Sequence, residues 1–111
     1  MITHRPMKHT EVTEKIIRAF LRRVYYHLGY GFLEKVYERA LVIELRRMGL
    51  KVEQQAKIDV FYEGEVIGEY FADLVVADVV LVELKAVNGI SDQHEAQLLN
   101  YRVFGSSRGD H

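Results

Sequence analysis

Cysteine and tryptophan are absent from this 111-residue sequence, and proline occurs once, at Pro6. Without cysteine there is neither a disulfide framework nor a thiolate metal site, and the composition suits a reducing cytoplasm. No apolar run reaches the ~18 residues that a membrane helix needs. The amino terminus, Met1-Ile2-Thr3-His4-Arg5-Pro6, lacks the apolar core of a signal peptide, so the expectation is a soluble cytoplasmic protein without a membrane partner. Charge is not one-sided either: 15 Lys and Arg face 16 Asp and Glu, a formal net charge of −1, which removes any global basic signal for a polyanion. Local charge is less even, because Arg5, Lys8, Lys15, Arg18, Arg22 and Arg23 bias the first helical segment toward positive. Repeats, low-complexity tracts and linkers are missing. At 49% hydrophobic content the chain can bury one core but not two.

What is present is strong periodicity. Val12, Ile16, Ile17, Phe20, Val24 and Leu28 recur at helical spacing and predict an amphipathic helix over 10–28, ended by Gly29-Tyr30-Gly31. A second helix is expected from about Phe32 to Met48, with Val36, Tyr37, Ala40, Leu41, Leu45 and Met48 inside and Lys35, Arg39 and Arg46 on another face. Strands are expected over 51–62, with a break near Gln55-Ala56, then 65–76 and 79–86, with Glu63-Gly64 as the first turn. Ser91-Asp92 can cap a final helix from Asp92 to Phe104. The expectation is one α+β domain over residues 10–104, ordered ααβββα on a mixed or antiparallel sheet. Residues 1–9 read as a flexible segment and 105–111 as a disordered tail.

Charges inside the apolar strands carry the chemistry. Val79-Val80-Leu81-Val82-Glu83-Leu84-Lys85-Ala86 reads as a buried strand, and an acid and an amine buried there are costly unless paired or metal-bound. Alternation places Leu81, Glu83 and Lys85 on one face. In the preceding strand Asp73 stands alone among Tyr70, Phe71, Leu74, Val75 and Val76. A two-residue turn at Ala77-Asp78 would pair Asp73 with Val82 and send the two acids to opposite faces. An odd connection, such as a three-residue loop from Ala77 to Val79, or a bulge, brings them to the same face, and that irregularity is expected.

Two carboxylates beside a lysine can bind a divalent cation through oxygen, leaving an ammonium alongside, which is hydrolytic chemistry; the bland alternative is a salt bridge from Lys85 to Asp73 or Glu83. Glu34 lies within ~20° of Leu41 and Leu45 on the helical wheel and so points coreward, either as a third carboxylate or as an acid favoured by the helix N-terminus. Gln97 and Tyr101, four apart on the expected last helix, can hydrogen-bond a ligand or pack as surface Gln and core Tyr. His27 and His94 lack a paired ligand spacing, Tyr25, Tyr26 and Tyr30 read as packing around the glycine turn, and Gly64 and Gly68 as turn and strand glycines.

Gly31-Phe32-Leu33-Glu34-Lys35-Val36-Tyr37 fits the pattern GxxExxY, and the chain resembles the GxxExxY family, a branch of the PD-(D/E)xK nuclease superfamily. The order is Glu34, then Asp73, then Glu83-Leu84-Lys85, then Gln97 and Tyr101. The resemblance spans about Thr10 to Tyr101 and implies a restriction-endonuclease-like core. It further implies Mg²⁺ or Mn²⁺ held by Asp73, Glu83, the Leu84 main-chain carbonyl and Glu34, with Lys85 acting on the attacking water and Gln97 and Tyr101 supporting the site. Oxygen ligands without cysteine or clustered histidine agree with that choice of ion. The implied function is metal-dependent phosphodiester hydrolysis, on DNA more than RNA; the alternatives are a nucleic-acid-binding or assembly module, or a truncated inactive member. Such members continue into another apolar strand that is missing from the pattern of residues 102–111, so an exposed sheet edge covered by a homo-oligomer or a larger complex is a further expectation.

Overall fold

The structure, a computed structural model, describes residues 9–88 and 95–103, with side chains over 9–85 and 99–103. A helical rod opens the chain: α1 (His9–Arg18), a π-helical segment (Ala19–Tyr25) and α2 (Tyr26–Leu28). Val12, Ile16, Phe20 and Val24 are buried as the periodicity requires, whereas Ile17 and Leu28 are half-buried. The π segment has no proline or glycine to mark it, and no residue pattern anticipates it.

Gly29 and Gly31 both take positive φ, 68° and 107°, which a side chain would resist, and the chain reverses there into α3 (Glu34–Arg47). Tyr37 locks this turn. Its hydroxyl donates to the Gly29 carbonyl at 2.7 Å and accepts from the Phe32 N–H at 3.3 Å, while its ring stacks on Tyr25 at 5.8 Å between centroids. The Tyr of the GxxExxY pattern is thus a staple between the two helical segments. Tyr37→Phe keeps the ring but orphans both backbone groups, so it is expected to cost about 1–2 kcal/mol in urea unfolding, with the slope of the transition unchanged. Of the three tyrosines around the turn, Tyr25 packs against the main core, while Tyr26 and Tyr30 are exposed.

α3 ends in a Schellman motif. Gly49, at φ 84°, donates its N–H to the Arg46 carbonyl, Leu50 donates to Leu45, and both leucines are buried. Four antiparallel strands follow in sequential order: β1 (Val52–Tyr62), β2 (Glu65–Val76), β3 (Val80–Asn88) and β4 (Glu95–Val103). Val52, Leu74, Val76, Val80, Val82 and Leu84 pack one face of the sheet onto the helices through Ile16, Phe20, Tyr37, Leu41 and Leu45. Ala56, Ala72 and Val75 form a smaller cluster with Ile58 and Leu81.

The class α+β holds, but the last element differs from the sequence expectation. Residues 95–103 form a strand, not a helix, and the Ser91-Asp92 cap and His94 lie outside the described residues. Paired along β3 from Val80↔Val103 to Asn88↔Glu95, β4 covers an edge that would otherwise expose a row of unpaired backbone groups. Backbone pairing outweighs the weak local preference of this segment.

Candidate active site at a strand fork

The β2–β3 hairpin turns through three residues, Ala77 to Val79. Ala77 and Asp78 have φ of 53° and 62°, the Val79 N–H reaches the Val76 carbonyl at 3.1 Å, and Val76 pairs with Val80. This odd connection sets the expected register. Extending the ladder Val76↔Val80, Val75↔Leu81, Leu74↔Val82 by one step brings Asp73 opposite Glu83.

The ladder stops at that step. Beyond Leu74, β2 stays paired with β1 while β3 stays paired with β4, so the two strands part at Asp73. The Asp73 carboxylate fills the fork: Oδ2 accepts the Leu84 backbone N–H at 2.9 Å. An ionised acceptor on an otherwise unpaired strand N–H makes a strong bond and fixes the acid in the gap. In an extended strand a residue's N–H and C=O point to the same neighbour, so the Leu84 carbonyl faces this gap as well.

From the helix side comes an acid that the sequence pattern does not single out. Glu38 is only 3% exposed, and its carboxylate accepts from Lys35 Nζ at 3.2 and 3.4 Å, Gln54 Nε2 at 3.1 Å and Gln55 Nε2 at 3.2 Å. The same Gln55 nitrogen lies 3.5 Å from Asp73 Oδ1, so one amide joins the two carboxylates. Glu83 is half-buried and accepts from the Tyr70 hydroxyl. Lys85 is exposed rather than partly desolvated, and among the described residues it forms no ion pair with Asp73 or Glu83; the salt-bridge alternative has no contact behind it.

Three sequence assignments need revision. Glu34 is exposed at the first residue of α3. The wheel angle sets it beside Leu41 and Leu45, but helical side chains tilt toward the N-terminus, so an acid at the first position leans past the end of the body it should touch. Glu38, one turn later and about 40° away, meets β1 instead. Gln97 and Tyr101 sit on β4, not on a helix. Tyr101 pairs with Val82 and Gln97 with Ala86, register positions of the opposite parity to Glu83 and Lys85, and Tyr101 is 48% exposed. Sequence signals for the missed residues were slight: Glu38 shares the apolar arc of α3, and Gln55 marks the expected break in β1, where it adopts φ 49°. Expected stability changes separate the two glutamates: Glu34→Ala within about 0.5 kcal/mol, Glu38→Ala a loss of about 1–3 kcal/mol, both read from denaturant midpoints.

A family model of the PD-(D/E)XK nuclease superfamily matches residues 10–109. The chain belongs to that superfamily, and its two helical segments on a four-stranded antiparallel sheet agree with a restriction-endonuclease-like fold. Comparison with curated proteins and with solved structures gave no significant match. Nucleases of this superfamily generally use divalent metals. The donors here fit such an ion in kind, since Asp73, Glu83, Glu38 and the Leu84 carbonyl offer only hard oxygen. In spacing they stand apart: among the described residues no three acidic or histidine side chains converge as a ligand group, and the Gln55 amide lies between Glu38 and Asp73. Among the described residues, no helix is long and apolar enough to cross a membrane.

Proposed function

We propose that the chain is a divalent-metal-dependent nuclease that hydrolyses phosphodiester bonds, acting on DNA more than RNA, and that it falls in the GxxExxY branch. The strand fork carries this reading: Asp73 is pinned on the Leu84 N–H, with Glu83 and Lys85 on the two flanking positions of β3. Asp73, Glu83, the Leu84 carbonyl and Glu38 would hold Mg²⁺ or Mn²⁺, with Glu38 taking the helix-acid role that the motif assigns to Glu34. Bound there, the ion would polarise a phosphodiester oxygen and acidify a water.

The protein's own groups divide the remaining work. Asp73 keeps a fixed position because its second oxygen is committed to the backbone, so ordering it costs little at the moment of reaction. Tyr70 restrains Glu83 through its hydroxyl. Lys85, two residues beyond Glu83 and open to solvent, can orient the attacking water with its ammonium and offset the negative charge that builds on the phosphate as the phosphorus–oxygen bond forms.

A second reading, a module that binds nucleic acid without cutting it, draws support from the separation of Glu38 and Asp73 by the Gln55 amide. One experiment decides between them. Purified protein is incubated with linear, nicked and single-stranded DNA and with RNA, in Mg²⁺, in Mn²⁺ and in chelator. Cleavage abolished by chelator supports the nuclease; retained or shifted substrate without cleavage in either metal supports the binding module.

A further inference from the structure

Gln55 combines three features that β1 alone does not require. It adopts φ 49°, a left-handed conformation uncommon for a residue with a side chain and one that marks functional strain often enough to warrant a hypothesis. Its side-chain nitrogen, which carries two hydrogens, has two acceptors, Glu38 Oε1 at 3.2 Å and Asp73 Oδ1 at 3.5 Å. Finally, Gln55 is exposed, so its amide can leave this position for water without unpacking the core.

Two carboxylates that share one neutral donor are weakly compensated. Glu38 has Lys35 and Gln54 besides, and Asp73 has the Leu84 N–H, but the space between the two is filled by the Gln55 amide alone among the described contacts. The bond to Asp73, at 3.5 Å, is the longer of the two and the first to give. Strand alternation fails here: Gln54 and Gln55, neighbours in sequence, both donate to Glu38, while the register with β2 is the same on either side of Gln55. The backbone irregularity is what allows a strand residue to reach an acid on α3 and an acid on β2 at once.

We propose that Gln55 is a positioning residue that occupies, with its amide, the place a divalent cation takes between Glu38 and Asp73, and that cation binding displaces it. This rests on the metal-dependent reading of the site. In the metal-free protein the amide sits between the two acids, 3.2 Å from one and 3.5 Å from the other, and screens their repulsion; to share an ion the acids must draw together as the amide leaves. On binding, the hydrogen bond to Asp73 breaks and the amide swings outward. Gln55 is thus a competitor built into the site, and it lowers the apparent affinity for the ion while keeping the empty site folded.

The test uses the parent, Gln55→Met and Gln55→Gly. Methionine keeps the length without the donors; glycine removes the side chain while favouring the left-handed backbone, so folding is preserved in at least one variant. Mn²⁺ affinity is measured by calorimetry, and the Gln55 side-chain amide signals of the parent are followed by NMR during titration with diamagnetic Mg²⁺. Both variants are expected to bind Mn²⁺ more tightly, on the order of fivefold, the scale of one lost competing hydrogen bond, and to melt lower than the parent without metal. The parent's Gln55 amide signals should shift in step with Mg²⁺ occupancy. If the parent binds metal but the amide signals stay fixed, or the folded variants bind no more tightly, the displacement idea is wrong and the metal site survives. If the parent binds neither ion, the metal-dependent reading fails and takes this inference with it.

Discussion

Lys85→Ala is expected to keep most of the Mn²⁺ affinity of the parent and to lose on the order of 10²-fold or more of the cleavage rate, the scale of one positioned donor to the transition state. An ammonium is no metal ligand, so affinity has little to lose. Stability should barely move, within about 0.5 kcal/mol, because Lys85 is exposed and among the described residues pairs with neither Asp73 nor Glu83. A salt-bridge role demands the opposite pattern, a marked loss of stability with cleavage intact, as an acid would be left without its partner. Metal titration, denaturant midpoint and single-turnover cleavage on one preparation distinguish the two, and unchanged cleavage would reject a catalytic Lys85.

Where sequence and structure agree or part follows from which physical quantity each pattern encodes. The three-residue loop at Ala77 to Val79 was legible because strand parity is strict: only an odd connection brings Asp73 to the register position of Glu83. Helix α3 was legible because Tyr37, Leu41 and Leu45 repeat at its period, and all three are fully buried. The last element was not, and its spacing shows why. Gln97 and Tyr101 are four apart, which puts two positions on one face at a period of 3.6 and equally at a period of 2, so the pair could not tell a helix from a strand. The open edge of β3 decides the matter, and a demand for backbone pairing leaves no mark in local sequence.

The site was half legible for a related reason. Asp73, Glu83 and Lys85 announce themselves as charges inside apolar strands. Glu34 and Glu38 share nearly the same wheel direction, so angle alone could not rank them; position along the helix axis relative to β1 does, and that depends on how far the sheet extends beneath α3. Gln55 carries no charge and sits in a run that reads as a strand break. Its reach from β1 to both acids follows from a left-handed backbone that Gln does not advertise.

Metal should stabilise the parent by a large margin. A ligand that binds only the folded chain adds about 2.7 kcal/mol at a hundredfold excess over its Kd, which for a domain of this size raises the melting temperature by roughly 10–20 °C and makes it climb with the logarithm of Mg²⁺ or Mn²⁺ concentration. In the Asp73→Asn/Glu83→Gln double variant that rise is expected to vanish, together with cleavage. The fold should survive, since the amide oxygen at position 73 can still accept the Leu84 N–H that now closes the fork at 2.9 Å. Without metal the variant should melt above the parent, because two negative charges at the fork, one of them bonded to the Leu84 N–H beside the other, are gone. Thermal melts of both proteins across a metal series, with a chelator control, provide the measurement. An equal Mn²⁺ response in variant and parent would place the ion elsewhere and remove Asp73 and Glu83 from its ligand set, whatever the cleavage assay gives.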